Sequence, residues 1–229
     1  MLNMNGFSRV LKLLFVICLP LLFVSLSIRI VSTSEWFFER GFDAYGISQT
    51  TGLERAELVK AGKALISYFK TGEGSISIQV NKNGKSISLF NDRETAHLVD
   101  VKGLFDLNTK IGEAAGLYLI AYVLVLLARP RKGDMQRTAS LFFGGSLLAV
   151  GLVLLLGIGS VIDFEALFIQ FHLLSFNNDL WLLDPAKDYL IMMFPTGFWI
   201  DATLGVAALI AAQGLVVGGL SYGFLRRRR

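Results

Sequence analysis

Cysteine, histidine and charged residues are all scarce in this 229-residue sequence. The single cysteine, Cys18, excludes an internal disulfide framework and a zinc site built on cysteines, and two histidines argue against an all-histidine metal site. Charged residues make up 17% of the chain, whereas soluble domains average about 25%. Hydrophobic residues make up 53%, which excludes intrinsic disorder. The composition therefore predicts a membrane protein.

Four apolar runs are candidates for transmembrane helices, each of which needs about 20 residues. They cover residues 10–30, 114–128 (extended by Ile111 and Gly112), 141–162 and 202–225. The first run resembles a signal peptide, but no small-x-small cleavage site follows Leu26 and Cys18 lacks a lipobox. We therefore expect the first helix to be retained.

The basic residues predict the orientation of these helices, because short cytoplasmic loops are enriched in Lys and Arg. With four spans, ten cationic residues share one side: Arg9, Lys12, Arg129, Arg131, Lys132, Arg137 and Arg226 to Arg229. Both termini are therefore expected in the cytoplasm. The segment from Asp163 to Asp201 has six acids and only Lys187, which predicts an extracytoplasmic location. We interpret the basic tail as a topology anchor that contacts phospholipid, so no nucleic-acid partner is expected.

The predicted fold is an α-helical membrane protein with four transmembrane helices, a small extracytoplasmic α+β cap and a second interfacial helical loop. The boundaries follow the apolar runs. The predicted transmembrane helices occupy residues 1–31, 113–128, 141–162 and 202–229, the last of which includes the basic tail. The cap, with its hairpin and the His97 helix, occupies residues 32–112. A basic cytoplasmic loop occupies residues 129–140, and the interfacial segment with the His172 motif occupies residues 163–201.

The cap pattern predicts a helix followed by a β-hairpin. Thr51 is a candidate N-cap for a helix over residues 53–69. Apolar residues then alternate from Ile76 to Val80, and Asn83-Gly84 is a strong hairpin signal. An isolated hairpin is marginal in water, so we expect it to pack on the helix, on the bilayer or on further strands between Phe37 and Ile47.

The segment 163–201 is too apolar for a free loop and too interrupted for a transmembrane helix. Phe164 to Leu174 predict an interfacial helix. Asp184-Pro185 has the form of an N-cap and first helical residue, which predicts a short helix over 185–193 with Asp184 and Asp188 on one face. Polar groups at membrane depth are costly without partners, so we expect them to pair or to line a wet cavity.

The two histidines of the chain, His97 and His172, each lie in an acid-flanked motif on the same predicted side. The reference pKa of histidine, about 6.5, suits proton transfer near neutral pH. A lone histidine in an interfacial helix is usually structural. From the residues alone, a catalytic role and a structural role both remain open for these two histidines.

Two blocks of sequence resemble a known family. The first is Glu94-x-x-His97-x-x-Asp100-Val101-Lys102, and the second runs from Phe171-His172 through Phe176, Asn178-Asp179, Trp181, Leu183-Asp184-Pro185 and Asp188 to Phe194-Pro195. With four spans in this order, the sequence resembles the bacterial integral membrane proteins that include the lipoprotein intramolecular transacylase. It departs from the family pattern at Leu173 and Thr196.

This resemblance implies an acyltransferase of the bacterial cytoplasmic membrane. The expected reaction moves the sn-2 acyl chain of the diacylglyceryl group to the α-amine of the same N-terminal cysteine, giving a lyso-form lipoprotein. The essential histidines of the family correspond to His97 and His172. The expected partners are diacylglyceryl-modified lipoproteins in the outer leaflet and membrane lipids, and we expect no cofactor, no metal and a monomeric protein.

Other residues of the two blocks have alternative roles. Asp100 either orients His97 or neutralises Lys102, and Asp184 is most simply an N-cap. Trp181 is most simply an interface anchor, although it could pack on an acyl chain. Asn178, Asp179 and Asp188 either orient a histidine or bind backbone groups.

Two alternative functions remain. Both histidines with Asp184 or Asp188 could form a two-His, one-carboxylate metal site, but no tight ligand motif accompanies them. A non-catalytic assembly or sensor protein is the other. Its helix-pairing motifs would be Gly214-x-x-x-Gly218 and Gly219-x-x-x-Gly223, which packing within a four-helix bundle explains equally well.

Overall fold

The chain folds into helices and one hairpin in a computed structural model that describes residues 4–71 and 76–227. Residues 228–229 of the predicted basic tail lie outside the described residues. The elements in chain order are α1 (Met4–Ser32), α2 (Glu35–Ala44), α3 (Ile47–Thr51), α4 (Arg55–Thr71), β1 (Gln79–Lys82), β2 (Lys85–Ser88), α5 (Asp92–Ala128), α6 (Asp134–Ile162), α7 (Phe164–Ser175), α8 (Tyr189–Met193) and α9 (Thr196–Arg226).

Four of these helices, α1, α5, α6 and α9, are long and apolar enough to cross a membrane. Each contains one of the four predicted apolar runs. The short apolar helix α7 covers the segment for which an interfacial helix is predicted. The prediction of a four-span helical membrane protein is therefore confirmed.

Helix α5 is longer than a membrane span requires. Its 37 residues extend about 55 Å at 1.5 Å per residue, whereas a bilayer core is about 30 Å thick. Charged residues are confined to the first part of the helix, up to Glu113, and residues 114–128 carry no charge. The distribution of charge thus divides α5 into a charged part that contains His97 and an uncharged part from residue 114 to 128.

The chain divides into two compact units. The first, which we call the membrane unit, comprises the described parts of Met1–Arg29, Asn108–Gly159 and Leu204–Arg229. Its buried core consists of Phe15, Leu19, Phe23, Leu119, Ala149 and Ile210. Interhelical hydrogen bonds add to this packing: Ser25 Oγ donates to Asn108 O at 2.9 Å, and Gln213 Nε2 donates to Ser27 Oγ at 2.8 Å.

The second, which we call the histidine unit, comprises Ile30–Leu107 and Ser160–Thr203. Strands β1 and β2 pair in an antiparallel hairpin, and Asn83 (φ 53°) and Gly84 (φ 77°) provide the two positive φ angles of a type I′ turn. Val80 and Leu89 of this region share a buried core with Leu58 and Leu65 of α4. The predicted hairpin is confirmed, and of the three packing surfaces considered for it, the structure shows the preceding helix.

Two predictions for the start of this unit are wrong. Residues 35–44 form α2, where further strands were considered. Ser34 caps this helix by accepting the Phe37 N–H at 3.3 Å, and Phe38 and Phe42 bury one helical face. Thr51 is not an N-cap but the last residue of α3, and its hydroxyl donates to Ile47 O at 2.7 Å and accepts the Leu53 N–H at 3.3 Å. The next helix begins only at Arg55.

The predicted helix over residues 185–193 is also too long. Residues 185–187 form a turn, and α8 begins at Tyr189. Asp184 Oδ1 accepts the Ala186 N–H at 2.9 Å and so stabilises the turn. Asp188 occupies the N-cap position of α8, but its side chain does not cap the helix.

Candidate active site

His97 lies in the second turn of α5, on a helix start that is itself well capped. Asn91 Oδ1 accepts the Glu94 N–H at 3.0 Å, and Glu94 Oε2 accepts the Asn91 N–H at 2.8 Å. This reciprocal pair is a capping box, which fixes the first turn before His97. The His97 side chain is only 6% exposed. Among the described residues, nothing hydrogen bonds to its Nδ1.

His172 lies near the end of α7 and is 7% exposed. Its Nδ1 lies 2.7 Å from Phe168 O. A carbonyl oxygen only accepts hydrogen bonds, so Nδ1 carries the hydrogen and donates it. In the neutral imidazole the lone pair is then on Nε2, which is free to accept a proton.

The two imidazole rings lie close together. Their centroids are 6.1 Å apart and their planes differ by 30°. Phe176 packs against both rings, at 5.2 Å from His97 and 5.6 Å from His172. Two further rings pack against His172: the centroid of Trp181 lies 4.9 Å from it and that of Phe168 lies 4.3 Å from it. Histidines that are 75 residues apart in the sequence thus share one aromatic environment.

Burial in this environment changes the basicity of both imidazoles. It lowers the pKa of His97 to about 4, since the charged form is poorly solvated there. The neighbouring His172 adds to the lowering, and the Asp100 carboxylate opposes it. Burial also lowers the pKa of His172, while its hydrogen bond to Phe168 O acts in the opposite direction. Both rings are therefore neutral at pH 7.

Three of the other predicted site residues lie in one small network beside the histidines. Asn178 Nδ2 donates to Asp100 Oδ2 at 2.9 Å, and Trp181 Nε1 donates to Asn178 O at 3.1 Å. Lys102 pairs with Asp106 at 3.0 Å. The contact of Asp100 is thus with Asn178, and the ion pair of Lys102 is with Asp106.

The other three predicted residues make different contacts. Asp179 forms an ion pair with Arg93 at 3.6 Å, and the Arg93 guanidinium also donates to Asp179 O. Asp184 stabilises the turn that follows it and lies 3.6 Å from Lys187 Nζ. Asp188 accepts from Asn91 Nδ2 at 2.8 Å and from Asp184 N–H at 2.7 Å. Two roles were predicted for Asp188, orienting a histidine or binding backbone groups. Its contacts with the Asp184 N–H and the Asn91 side-chain amide resemble the second role.

Sequence reasoning missed Asn91, and it named Glu94 and Phe176 only as members of the two blocks, without a role. Glu94 is 1% exposed and accepts the Leu190 N–H at 2.6 Å, which links the start of α5 to α8. Burial raises the pKa of Glu94, its backbone hydrogen bonds oppose this, and Asp188 adds to the rise. The Asn91-x-x-Glu94 spacing before a helical pattern is the signal that could have revealed the capping pair.

Candidate metal ligands are sparse in this region. The described residues contain no group of three or more His, Cys, Asp or Glu side chains arranged to hold a metal ion. The two-His, one-carboxylate arrangement considered above would need Asp184 or Asp188 beside both rings. Their contacts, given above, go to backbone and side-chain amides and to Lys187.

Known proteins match this chain over most of its length. A protein of Aquifex aeolicus (strain VF5), described as uncharacterized, is 32% identical over 216 residues, covering 91% of this chain and 92% of its own. The in meso structure of the lipoprotein intramolecular transacylase Lit from Bacillus cereus aligns with a TM-score of 0.82 and 21% identity over 98% of both chains. A histidine-to-arginine variant of that protein aligns with a TM-score of 0.78 and 20% identity, covering 98% of this chain and 95% of its own. The family model for the lipoprotein intramolecular transacylase Lit matches residues 13–199, and the chain therefore belongs to the Lit family of membrane proteins.

Proposed function

We propose that this protein transfers the sn-2 acyl chain of a diacylglyceryl-modified lipoprotein to the α-amine of the same N-terminal cysteine. The product is the N-acyl, S-monoacylglyceryl lyso form. Family membership supports a lipoprotein substrate and a transacylase reaction. The observation that carries the proposal is the pair of buried imidazoles with ring centroids 6.1 Å apart.

The reaction converts an ester into an amide without a net change in protons. The amine nitrogen attacks the ester carbonyl carbon, a tetrahedral oxyanion forms, and the carbon–oxygen bond to glycerol breaks. The nitrogen loses one proton and the glycerol oxygen gains one. Because both groups belong to one molecule, the reaction benefits from a high effective molarity. The protein needs to supply a proton acceptor, a proton donor and a hydrogen-bond donor to the oxyanion.

His172 is the proposed proton acceptor. Its Nδ1–H is held by Phe168 O, which leaves the Nε2 lone pair for the attacking amine. The same Nε2 then holds the proton that the departing glycerol oxygen takes up. In this state the Phe168 carbonyl stabilises the imidazolium through the Nδ1–H bond.

His97 is the proposed partner that faces the developing oxyanion. A buried neutral imidazole presents one N–H and one lone pair, and a low pKa keeps His97 neutral before the reaction begins. Asp100 lies near enough to influence the pKa of His97. The carboxylate opposes the lowering of that pKa, and His97 acts here as a neutral hydrogen-bond donor to the oxyanion.

The surroundings of the histidines suit acyl chains. Beside the aromatic rings that cover His172, Phe171, Leu174 and Leu182 are exposed, and Leu174 is 86% exposed. Exposed apolar patches of this kind mark lipid or protein contacts. We propose that α7 lies in the outer leaflet of the bacterial cytoplasmic membrane and that substrate acyl chains reach the histidines along this apolar surface.

Mass spectrometry of a lipoprotein N-terminus tests the proposal. Cells with the wild-type protein are expected to contain the lyso form, and cells without it the diacylglyceryl form. His97→Gln and His172→Asn keep some hydrogen bonding but remove proton transfer near neutral pH. Each should lower lyso-form production by about 10²–10⁴-fold, the usual contribution of general acid–base catalysis.

Asp184→Asn is the matched control, because Asp184 stabilises a turn and lies apart from the hydrogen bonds of the histidine pair. It should retain most activity. Full activity in both histidine variants would end this assignment. A chelator should leave the wild type active, because the proposed proton transfers use only imidazoles, and loss of activity with chelator would favour the metal site.

A further inference from the structure

Two buried carboxylates, those of Glu94 and Asp188, lie side by side in the histidine unit and belong to residues other than the two histidines. Glu94 is 1% exposed and Asp188 is 2% exposed. Each of their four oxygens accepts one amide N–H: Glu94 from Leu190 (2.6 Å) and Asn91 (2.8 Å), and Asp188 from the Asn91 side chain (2.8 Å) and Asp184 (2.7 Å). Every oxygen of the two carboxylates therefore has a hydrogen-bond donor. Such complete pairing indicates a specific structural role, because buried charges without hydrogen bonds are strongly destabilising.

Asn91 is the centre of the arrangement. Its backbone N–H and its Oδ1 bind Glu94, while its Nδ2 binds Asp188. Through these bonds the first turn of α5 is fixed to the turn at Asp184 and to the start of α8. We call Asn91, Glu94 and Asp188 the carboxylate clamp.

Two of the clamp residues, Asn91 and Glu94, lie one to two turns before His97 at the start of the same helix. The segment that it holds, residues 184–190, follows directly after the segment that carries Phe176 and Trp181, whose rings pack on the two histidines. A shift of α5 relative to this segment would therefore move His97 relative to His172. We propose that Asn91, Glu94 and Asp188 are positioning residues that set the distance between the two imidazoles for the acyl transfer.

This inference rests on the proposed function but goes beyond it, since none of the three residues is assigned to the reacting atoms. Misplacing a reacting group by about 1 Å can cost about 10²-fold in rate. We therefore expect variants of the clamp to lose kcat by at least about 10-fold, with KM changed by less than about 3-fold, because substrate contacts stay intact.

A reciprocal exchange of Asn91 and Asp188 provides the test. Asp188→Asn alone places two amide groups face to face, and Asn91→Asp alone places two carboxylates face to face. The double variant Asn91→Asp/Asp188→Asn restores every hydrogen bond with donor and acceptor exchanged and the same net charge. We expect low kcat in each single variant and recovery to within about 3-fold of wild type in the double variant.

A second measurement is independent of turnover. The chain has two histidines, so His97→Gln assigns their NMR signals, and the pKa of His97 is then followed by titration. We expect each single variant to raise this pKa toward the ordinary value, because a displaced ring is better solvated, and the double variant to restore it. Leu65→Ala in α4, a buried core position outside the clamp, is the control that lowers stability without changing the His97 titration.

The outcomes separate the two proposals. Absence of lyso-form product with the wild-type protein would contradict the proposed function, and the titration would still test the clamp. Wild-type kcat and His97 titration in both single variants would overturn the clamp. A double variant as impaired as Asp188→Asn would overturn it too, because Asp188 would then act through its charge at position 188.

Discussion

At the scale of single residues, the burial of His97 makes the stability of the protein depend on pH. The unfolded chain binds a proton at this histidine with a pKa of about 6.5, whereas the folded protein does so with a pKa of about 4. Between these values the unfolded state holds more protons, so stability falls as the pH is lowered. From pH 7.0 to 5.5 the loss from His97 alone is about 1 kcal/mol.

Replacing His97 by Gln is predicted to remove this contribution to the pH dependence of stability, because the variant has no imidazole at position 97. Thermal unfolding of purified wild type and His97→Gln in detergent micelles, at pH 7.0 and 5.5, measures it. The Tm of the wild type should fall more than that of the variant, because contributions from other groups cancel in the comparison. Equal shifts in the two proteins would contradict a buried neutral His97.

The sequence was sufficient to find the histidines but not to place every acid near them. His97 and His172 were identified from their motifs, and the structure brings their rings together. The sequence predicts a helix over residues 185–193 with Asp184 and Asp188 on one face, whereas the helix starts at Tyr189. Asp188 binds Asn91, 97 residues earlier in the chain, and local periodicity contains no information about such a distant partner.

At the scale of elements, the packing of α9 gives a direct test of the glycine motifs. A Cβ at Gly214 would lie 2.7 Å from Val150 Cγ2 of α6, and one at Gly218 would lie 3.0 Å from Ser146 Cβ. Within the described residues, a Cβ at Gly219 or Gly223 meets nothing within 4 Å. The first motif thus serves packing within the membrane unit.

Gly214→Leu is predicted to destabilise the membrane unit by about 1–3 kcal/mol, the usual cost of overpacking. Gly219→Leu, on the same helix, should be neutral. The Tm of each variant in detergent is the measurement, with the oligomeric mass determined in parallel. A change of oligomeric mass with Gly219→Leu would instead support the assembly alternative and contradict the expected monomer.

Element prediction succeeded where the local signal was strong. Long uncharged runs predict the spans, and Asn83-Gly84 predicts the hairpin, because both signals act within a few residues of chain. It failed for α2, whose aromatic residues fit a strand as well as a helix. Phe38 packs against Phe194 and Phe198. The buried face of α2 thus contacts residues more than 150 positions later in the sequence, and a local pattern contains no information about such contacts.

At the scale of the whole molecule, the family assignment and the distribution of charge support one topology. A lipoprotein substrate carries its acyl chains in the membrane, and both histidine motifs belong to segments with a balanced or acidic charge. The strongly basic segments are the loop at residues 129–137 and the end of the chain. Since short basic loops stay in the cytoplasm, we propose that the histidine unit is extracytoplasmic and that both termini are cytoplasmic.

Cysteine labelling in cells tests this topology. In a Cys18→Ala background, Ser86→Cys and Lys187→Cys place single thiols at exposed positions of the histidine unit, and Lys132→Cys places one in the exposed basic loop. A membrane-impermeant thiol reagent should label the first two in intact cells or spheroplasts. The thiol at position 132 should react only after permeabilisation, because the reagent cannot cross the bilayer. The opposite pattern would put both histidines on the cytoplasmic side, where the proposed lipoprotein substrate in the outer leaflet could not reach them.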